Sequence, residues 1–162
     1  MKTPTIVLTI AGSDSSGGAG IQADIKAISA MGSYAASVIT SVTAQNTLGV
    51  QAIHPIPSDM VRQQIESVMD DLHPEAIKIG MVCDKDIALT ISESICKYQP
   101  RWVVYDPVMV STSGHKLMTD DTINIIRQKL IPQATLITPN LHDIPRITPK
   151  NVSTAIIVAP TS

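Results

Sequence analysis

TIVLTI-AGSDSSGGAG-IQADIKAISAM, residues 5–31, is the stretch whose reading decides the fold. Its first six residues are aliphatic and β-branched, the composition of a buried strand. Residues 11–20 then hold four glycines and three serines and read as a loop. From Ile21 the apolar positions Ile21, Ile25, Ile28 and Met31 recur at helical spacing, which predicts one buried face. Strand, glycine loop and helix in direct succession make the first half of a βα unit.

Working outward, the alternation continues. Residues 34–43 read as a strand ending at Ala44-Gln45-Asn46, and residues 50–56 as a short strand stopped by Pro55 and Pro57. Ser58 is placed as the N-cap of a helix whose stripe is Val61, Ile65, Val68, Met69 and Leu72. Residues 76–79 read as a strand, and Asp84 opens a helix to about Lys97. Residues 102–105 form another strand, ending at Asp106-Pro107. Thr119 caps a helix with Asp120 and Asp121 in its first turn, where the helix dipole favours acids. Residues 135–138 are the last clear strand, before Pro139-Asn140. Strand and helix alternating in this way predict an α/β fold, a three-layer sandwich with a mainly parallel central sheet. Ligands then bind beyond the carboxyl ends of the strands, so the turns after the strands are where chemistry is expected.

Composition narrows the function. With no Phe, three Tyr and one Trp, the core must be aliphatic. A net charge of −2 and no run of Lys or Arg exclude the basic stripe that nucleic-acid binding needs. No apolar run approaches the ~20 residues of a membrane span. Cys83 and Cys96 are too far apart for a CxxC pair and too few for a disulfide framework. Both are read as small buried hydrophobes in a reduced, cytoplasmic protein. His54, His73, His115 and His142 lack metal-ligand spacing and are read as surface residues.

Five features carry candidate chemistry. Gly18-Ala19-Gly20-Ile21-Gln22-Ala23 fits the loose G-x-G-x-x-[GA] pattern, but Ala44-Gln45-Asn46 stands where a ribose-binding acid belongs, and no Gly-Lys-Ser/Thr follows. Asp14 within the loop would repel a phosphate, so the glycines suit close backbone approach to something neutral; the alternative is an ordinary strand-to-helix turn. Gln45 offers a donor and an acceptor, the complement of an aminopyrimidine edge, or else is a polar strand-end residue bonded to backbone. Asp106 suits Mg²⁺ or a phosphate-side water, or initiates an Asx-Pro turn. Asn140 and Asp143 offer oxygen atoms for a nucleotide-bound Mg²⁺, or form a helix N-cap. Met81, after Lys78-Ile79-Gly80, walls an apolar pocket or is a plain core residue.

Residues 8–24 (LTIAGSDSSGGAGIQAD) closely resemble the opening of bacterial hydroxymethylpyrimidine/phosphomethylpyrimidine kinases of thiamine biosynthesis, in the ribokinase-like superfamily. So do Ser37-Val38-Ile39-Thr40, Ala44-Gln45-Asn46-Thr47, Lys78-Ile79-Gly80-Met81, Asp106-Pro107-Val108-Met109 and Leu136-Ile137-Thr138-Pro139-Asn140-Leu141, in order and properly spaced. The resemblance implies a ribokinase-like fold, with ATP and Mg²⁺ as cofactors. It implies transfer onto the hydroxymethyl group of 4-amino-5-hydroxymethyl-2-methylpyrimidine and then onto the monophosphate. Gln45 should bond the pyrimidine, with Gly12, Asp14, Ala19 and Met81 around it. Asp106, Asn140 and Asp143 fall on the phosphate side, Asp106 and Asp143 near the metal. The family has Glu at the last of these positions, so Asp143 shortens that arm.

The chain is read as a single ribokinase-like domain over 1–162, diverging from the family after about residue 144. The family's later glycine-rich segment, which carries its catalytic residue, has no counterpart here, so the sheet is expected to be incomplete at its C-terminal side and the catalytic residue is unassigned. Pro145 and Pro149 break the helix expected after residue 143. Residues 155–158 read as a strand without an alignment. The open edge is expected to be covered by a homodimer or by that tail strand. Two further readings stay open: a vitamin B6 kinase on the same fold, and a non-catalytic fragment that binds a pyrimidine or a partner.

Overall fold

The computed structural model describes residues 4–109, 118–140, 143–147 and 155–156. Seven strands form one sheet, in the order β3-β2-β1-β4-β5-β6-β7. They are β1 (Ile6–Asp14), β2 (Tyr34–Asn46), β3 (Gly49–Pro55), β4 (Ala76–Ile79), β5 (Trp102–Tyr105), β6 (Leu136–Ile137) and β7 (Ala155–Ile156). Every neighbouring pair is parallel except β2–β3. The helices are α1 (Gly20–Ala30), α2 (Ser58–Leu72), α3 (Lys85–Tyr98), α4 (Asp120–Ile125) and the single turn α5 (Ile144–Ile147). The mainly parallel α/β sandwich read from the alternation is the fold observed.

Register sorts the side chains into two faces. Leu8, Ile10, Ala36, Val38, Ile77, Ile79, Val103 and Tyr105 stand in aligned rows on one face. Val61 and Ile65 of α2, Ile87 and Ile91 of α3, and Ile123 of α4 pack on those rows as one buried cluster. The opposite face carries Thr9, Lys78 and Val104. It is met by α1, whose Asp24 accepts a hydrogen bond from Thr9 Oγ1 at 2.6 Å. Capping follows local chemistry. The Asp84 carboxylate accepts from the amides of Asp86 and Ile87, and Thr119 Oγ1 accepts from the amide of Thr122. At the edge of β2, the Gln64 carboxamide accepts from Ile39 N and donates to Ile39 O, closing a strand edge that β3 does not reach.

Several details depart from the sequence reading. β1 does not stop at Ile10: after a register shift, Ser13 and Asp14 still ladder with Val42 and Thr43. β2 reaches Asn46 because β3 folds back on it through Thr47-Leu48, the two residues between the paired Asn46 and Gly49. The N-cap of α2 is Pro57 rather than Ser58, with no side-chain capping bond. Met31, assigned to the buried face of α1, is its C-cap and lies exposed. Cys96 is exposed, and Cys83 only half-buried. Burial pushes the Cys83 thiol above its usual pKa. His54 and His73 are at the surface as read; His115 and His142 lie outside the described residues, as do Leu141 and Pro149. Of the tail strand read over 155–158, Ala155 and Ile156 are described and pair in parallel with Leu136 and Ile137 of β6.

Candidate functional site

β1 has parallel neighbours on both sides, β2 and β4, so the chain's crossovers diverge there, and in such sheets this is where ligands bind, beyond the carboxyl ends of the strands. The loop after β1 lies there, and its backbone amides turn inward. The Asp14 carboxylate accepts from the amides of Ser16 (2.8 Å), Gly18 (2.9 Å) and Ala19 (2.8 Å), and from the Ser16 hydroxyl. Burial alone would raise this carboxyl, but the bonds from Ser16, Ala19 and Gly18 outweigh it and hold Asp14 below its ordinary pKa. The amides of a glycine loop that could cradle a phosphate are therefore occupied by a residue of the loop itself. The loop is also pinned to α1. Gln22 Oε1 accepts from Asp14 N, Gln22 Nε2 donates to Ser13 Oγ, and Lys26 Nζ donates to Gly17 O.

Two glycines make the close approaches possible. A Cβ on Gly12 would stand 2.8 Å from Ser41 Oγ and 3.0 Å from Met81 Cε. Gly20 has φ +58°, and a Cβ there would overlap the Gly12 carbonyl oxygen. Met81, after β4, is thus brought against Gly12, and its carbonyl accepts from Thr40 Oγ1 at 3.0 Å. Gln45 arrives from β2. The Ser15 hydroxyl donates to Gln45 O at 2.7 Å and accepts from Gln45 N at 2.9 Å. The structure therefore gathers Gly12, Asp14, Ala19, Gln45 and Met81 around one loop, with the Asp14 carboxylate engaged within it.

The other group lies toward β5 and β6. Lys78 Nζ is 3.0 Å from Asp24 and 3.7 Å from Asp106, the first residue after β5. Burial pushes the Asp106 carboxyl above its usual pKa; Lys78 opposes that and Asp24 adds to it. The Tyr105 hydroxyl is fully buried and pushed far up by burial, with Asp106 and Asp143 contributing, so both acids act on the same strand end. Asn140 is exposed while Asp143 is buried, and Asp143 N donates to Asn140 O at 2.9 Å. Among the described residues no three His, Cys, Asp or Glu side chains cluster as a metal cage. Mg²⁺ held by one or two carboxylates, water and substrate phosphates needs no such cage, and the half-buried Asp106 fits that mode. Sequence reading did not single out Ser15, Thr43 or the Thr9–Asp24–Lys78 chain. A lysine in the apolar strand Ala76–Ile79 was the available signal for the last of these.

The strand order defines a doubly wound α/β protein, a class in which ligands bind beyond the carboxyl ends of the strands at the switch point. Residues 14–159 match the family model described as "Phosphomethylpyrimidine kinase", and the chain belongs to that family. It is 48% identical over 136 residues to the hydroxymethylpyrimidine/phosphomethylpyrimidine kinase of Escherichia coli K12, covering 84% of this chain and 51% of the relative. The crystal structure of phosphomethylpyrimidine kinase from Clostridium difficile 630 superposes with a TM-score of 0.84 at 50% identity, over 89% of this chain and 62% of that one. Pyridoxal kinase from Staphylococcus aureus, solved with pyridoxal, superposes with a TM-score of 0.81 at 31% identity, over 90% and 52%. The chain thus spans about half the length of the curated kinase relative. The ribokinase-like architecture is shared with these structures. Among the described residues no helix is long and apolar enough to cross a membrane.

Proposed function

We propose that this site binds 4-amino-5-hydroxymethyl-2-methylpyrimidine, and that the protein transfers phosphoryl groups from ATP to its hydroxymethyl group and then to the monophosphate. The observation that supports this reading is that Gly12, Ala19, Met81 and the β2 end at Gln45 meet about the loop after β1, in a chain of this family. The site suits a neutral ring: Met81 supplies an apolar wall, the glycine loop admits close backbone contact, and Gln45 supplies the hydrogen-bonding edge. Asp106, with Asn140 and Asp143, serves the nucleotide side, Asp106 and Asp143 reaching the metal through water. Mg²⁺ bound with the nucleotide neutralises phosphate charge; the chain's own part is to orient the ring and hold the acceptor hydroxyl toward that side. The protein acts as one domain in the cytoplasm, a placement its two unpaired cysteines suit. It works as a homodimer, for which the exposed Val42 and Leu48 of the β2–β3 hairpin offer apolar surface.

Calorimetry with the aminopyrimidine, pyridoxal and ATP tests this reading. The aminopyrimidine is expected to bind more tightly than pyridoxal. Gln45→Ala should weaken it by about 1–3 kcal/mol, or about five- to a hundredfold. Binding of pyridoxal in preference, which the similarity to pyridoxal kinases makes the second reading, overturns the substrate assignment. An unchanged affinity in Gln45→Ala overturns the site.

A further inference from the structure

Thr43 carries one hydroxyl proton and faces two groups. Its Oγ1 lies 2.9 Å from the Ser13 carbonyl oxygen and 3.1 Å from Gln45 Oε1, so two acceptors face one proton. The Ser13 oxygen can only accept, so it takes the proton. With that proton on Ser13, Gln45 Oε1 faces the Thr43 oxygen with no proton between them, and turning the carboxamide over, so that Nε2 donates to Thr43 Oγ1, replaces this repulsion with a hydrogen bond. The oxygen and nitrogen of a carboxamide are nearly equal in size, so the group turns over with little steric change, and the hydrogen-bonding partners decide which end is which. Thr43 is 6% exposed and held in the β1–β2 ladder opposite Asp14, so its oxygen is a fixed reference point.

We propose that Thr43 is a specificity-determining positioning residue, which draws the Gln45 amide nitrogen onto its own oxygen and turns the amide oxygen to the far end of the hydrogen-bonding edge. The edge then reads, from Thr43 outward, donor followed by acceptor. A ring held with its hydroxymethyl group toward the phosphate side, and so unable to turn over, must present an acceptor nitrogen followed by an exocyclic donor. A 4-aminopyrimidine has that order. The corresponding 4-oxopyrimidine has the reverse, since its exocyclic oxygen accepts and its ring N–H donates. This inference rests on the pyrimidine reading above and adds what selects the amino form.

The experiment measures the affinities of 4-amino- and 4-oxo-5-hydroxymethyl-2-methylpyrimidine for the full chain and for Thr43→Val, Thr43→Ala, Thr43→Ser and Gln45→Ala, with each variant's thermal melt as a check on folding. The wild-type chain should prefer the amino form. Removing the hydroxyl frees the amide to turn over, so Thr43→Val, or Thr43→Ala if the valine variant does not fold, should shrink the amino-to-oxo ratio about three- to tenfold. Thr43→Ser, which keeps the hydroxyl, should restore the ratio. A general loosening of the site would lower both affinities and leave the ratio intact. If the ratio in folded Thr43→Val or Thr43→Ala stays within about twofold of wild type while Gln45→Ala still weakens the amino form, the role of Thr43 is overturned and the pyrimidine reading stands. If neither ring binds the folded wild-type chain, the pyrimidine reading falls and takes this inference with it.

Discussion

Replacing Gly20 with alanine separates two lines of argument that predict opposite signs. Helix propensity alone favours alanine over glycine by about 1 kcal/mol in a helix interior. Gly20 opens α1, however, at φ +58°. An L-residue in that region costs about 1–2 kcal/mol. The added Cβ would also meet the Gly12 carbonyl oxygen, and the atoms it strikes are backbone, which cannot swing aside. Forcing such an overlap costs about 1–3 kcal/mol more. The sum predicts a loss of about 2–5 kcal/mol, a downward shift of about 1–2.5 M in the urea midpoint for a slope near 2 kcal/mol/M. Gly32 supplies the internal control. Its φ is +79° but nothing lies within 4 Å of a Cβ there. Gly32→Ala should therefore show the dihedral cost alone, about 1–2 kcal/mol. Urea melts of both variants give the comparison. If Gly20→Ala is no more destabilising than Gly32→Ala, the close packing of the loop against β1 is refuted. If it is stabilising, the conformation assigned to Gly20 is refuted as well.

Asp14 gives a pH signature. Its folded pKa is depressed, so its contribution to stability is present above the unfolded value of 3.8 and fades as pH falls through the lower folded value. Asp14→Asn should be less stable than wild type at neutral pH by about 1–3 kcal/mol, with the gap narrowing in acid; a gap that stays constant to the lowest workable pH counts against the amide-bound carboxylate. Asp84→Ala removes the acceptor for the amides of Asp86 and Ile87 and should cost about 1 kcal/mol in a denaturant melt. A change within error would show that those amides find solvent at no loss.

How much of this was legible in the sequence depended on how local each cause is. β4 and β5 were read to the residue, because each is a short strand bounded by charged or turn residues, β5 apolar throughout and β4 apolar but for Lys78. The caps Asp84 and Thr119 were legible for the same reason, since each bonds amides within three residues. β1 was read short because its hydrophobic pattern fades at Gly12 while its ladder does not: the partners of Ser13 and Asp14 are Val42 and Thr43, some thirty residues on. The hairpin of β2 and β3 was not read because Thr47-Leu48 lacks the Asn-Gly or Asp-Gly chemistry that signals a two-residue turn. At the site, the glycine loop and Gln45 stood out by composition and family pattern. That Asp14 would occupy the loop's amides was not visible, since an acid among glycines reads as a charge facing outward. Thr43 gave no signal at all, because its role follows from counting protons between groups that only the folded sheet brings together.

The Ser15 hydroxyl closes two bonds on one residue, donating to Gln45 O and accepting from Gln45 N. Ser15 stands between Asp14 and the amides that Asp14 holds, while Gln45 lies at the end of β2, where β3 turns back. The glycine loop and the hairpin are thereby latched together through a single side-chain oxygen. For local opening this makes them one cooperative unit rather than two: the hairpin end cannot lift while the latch is closed, and releasing it frees both walls of the site at once. Amide hydrogen exchange in residues 15–19 and 45–50 should then share one opening free energy, well below that of β4 and β5 in the centre of the sheet. Ser15→Ala should split that shared value in two, so that each wall opens on its own terms.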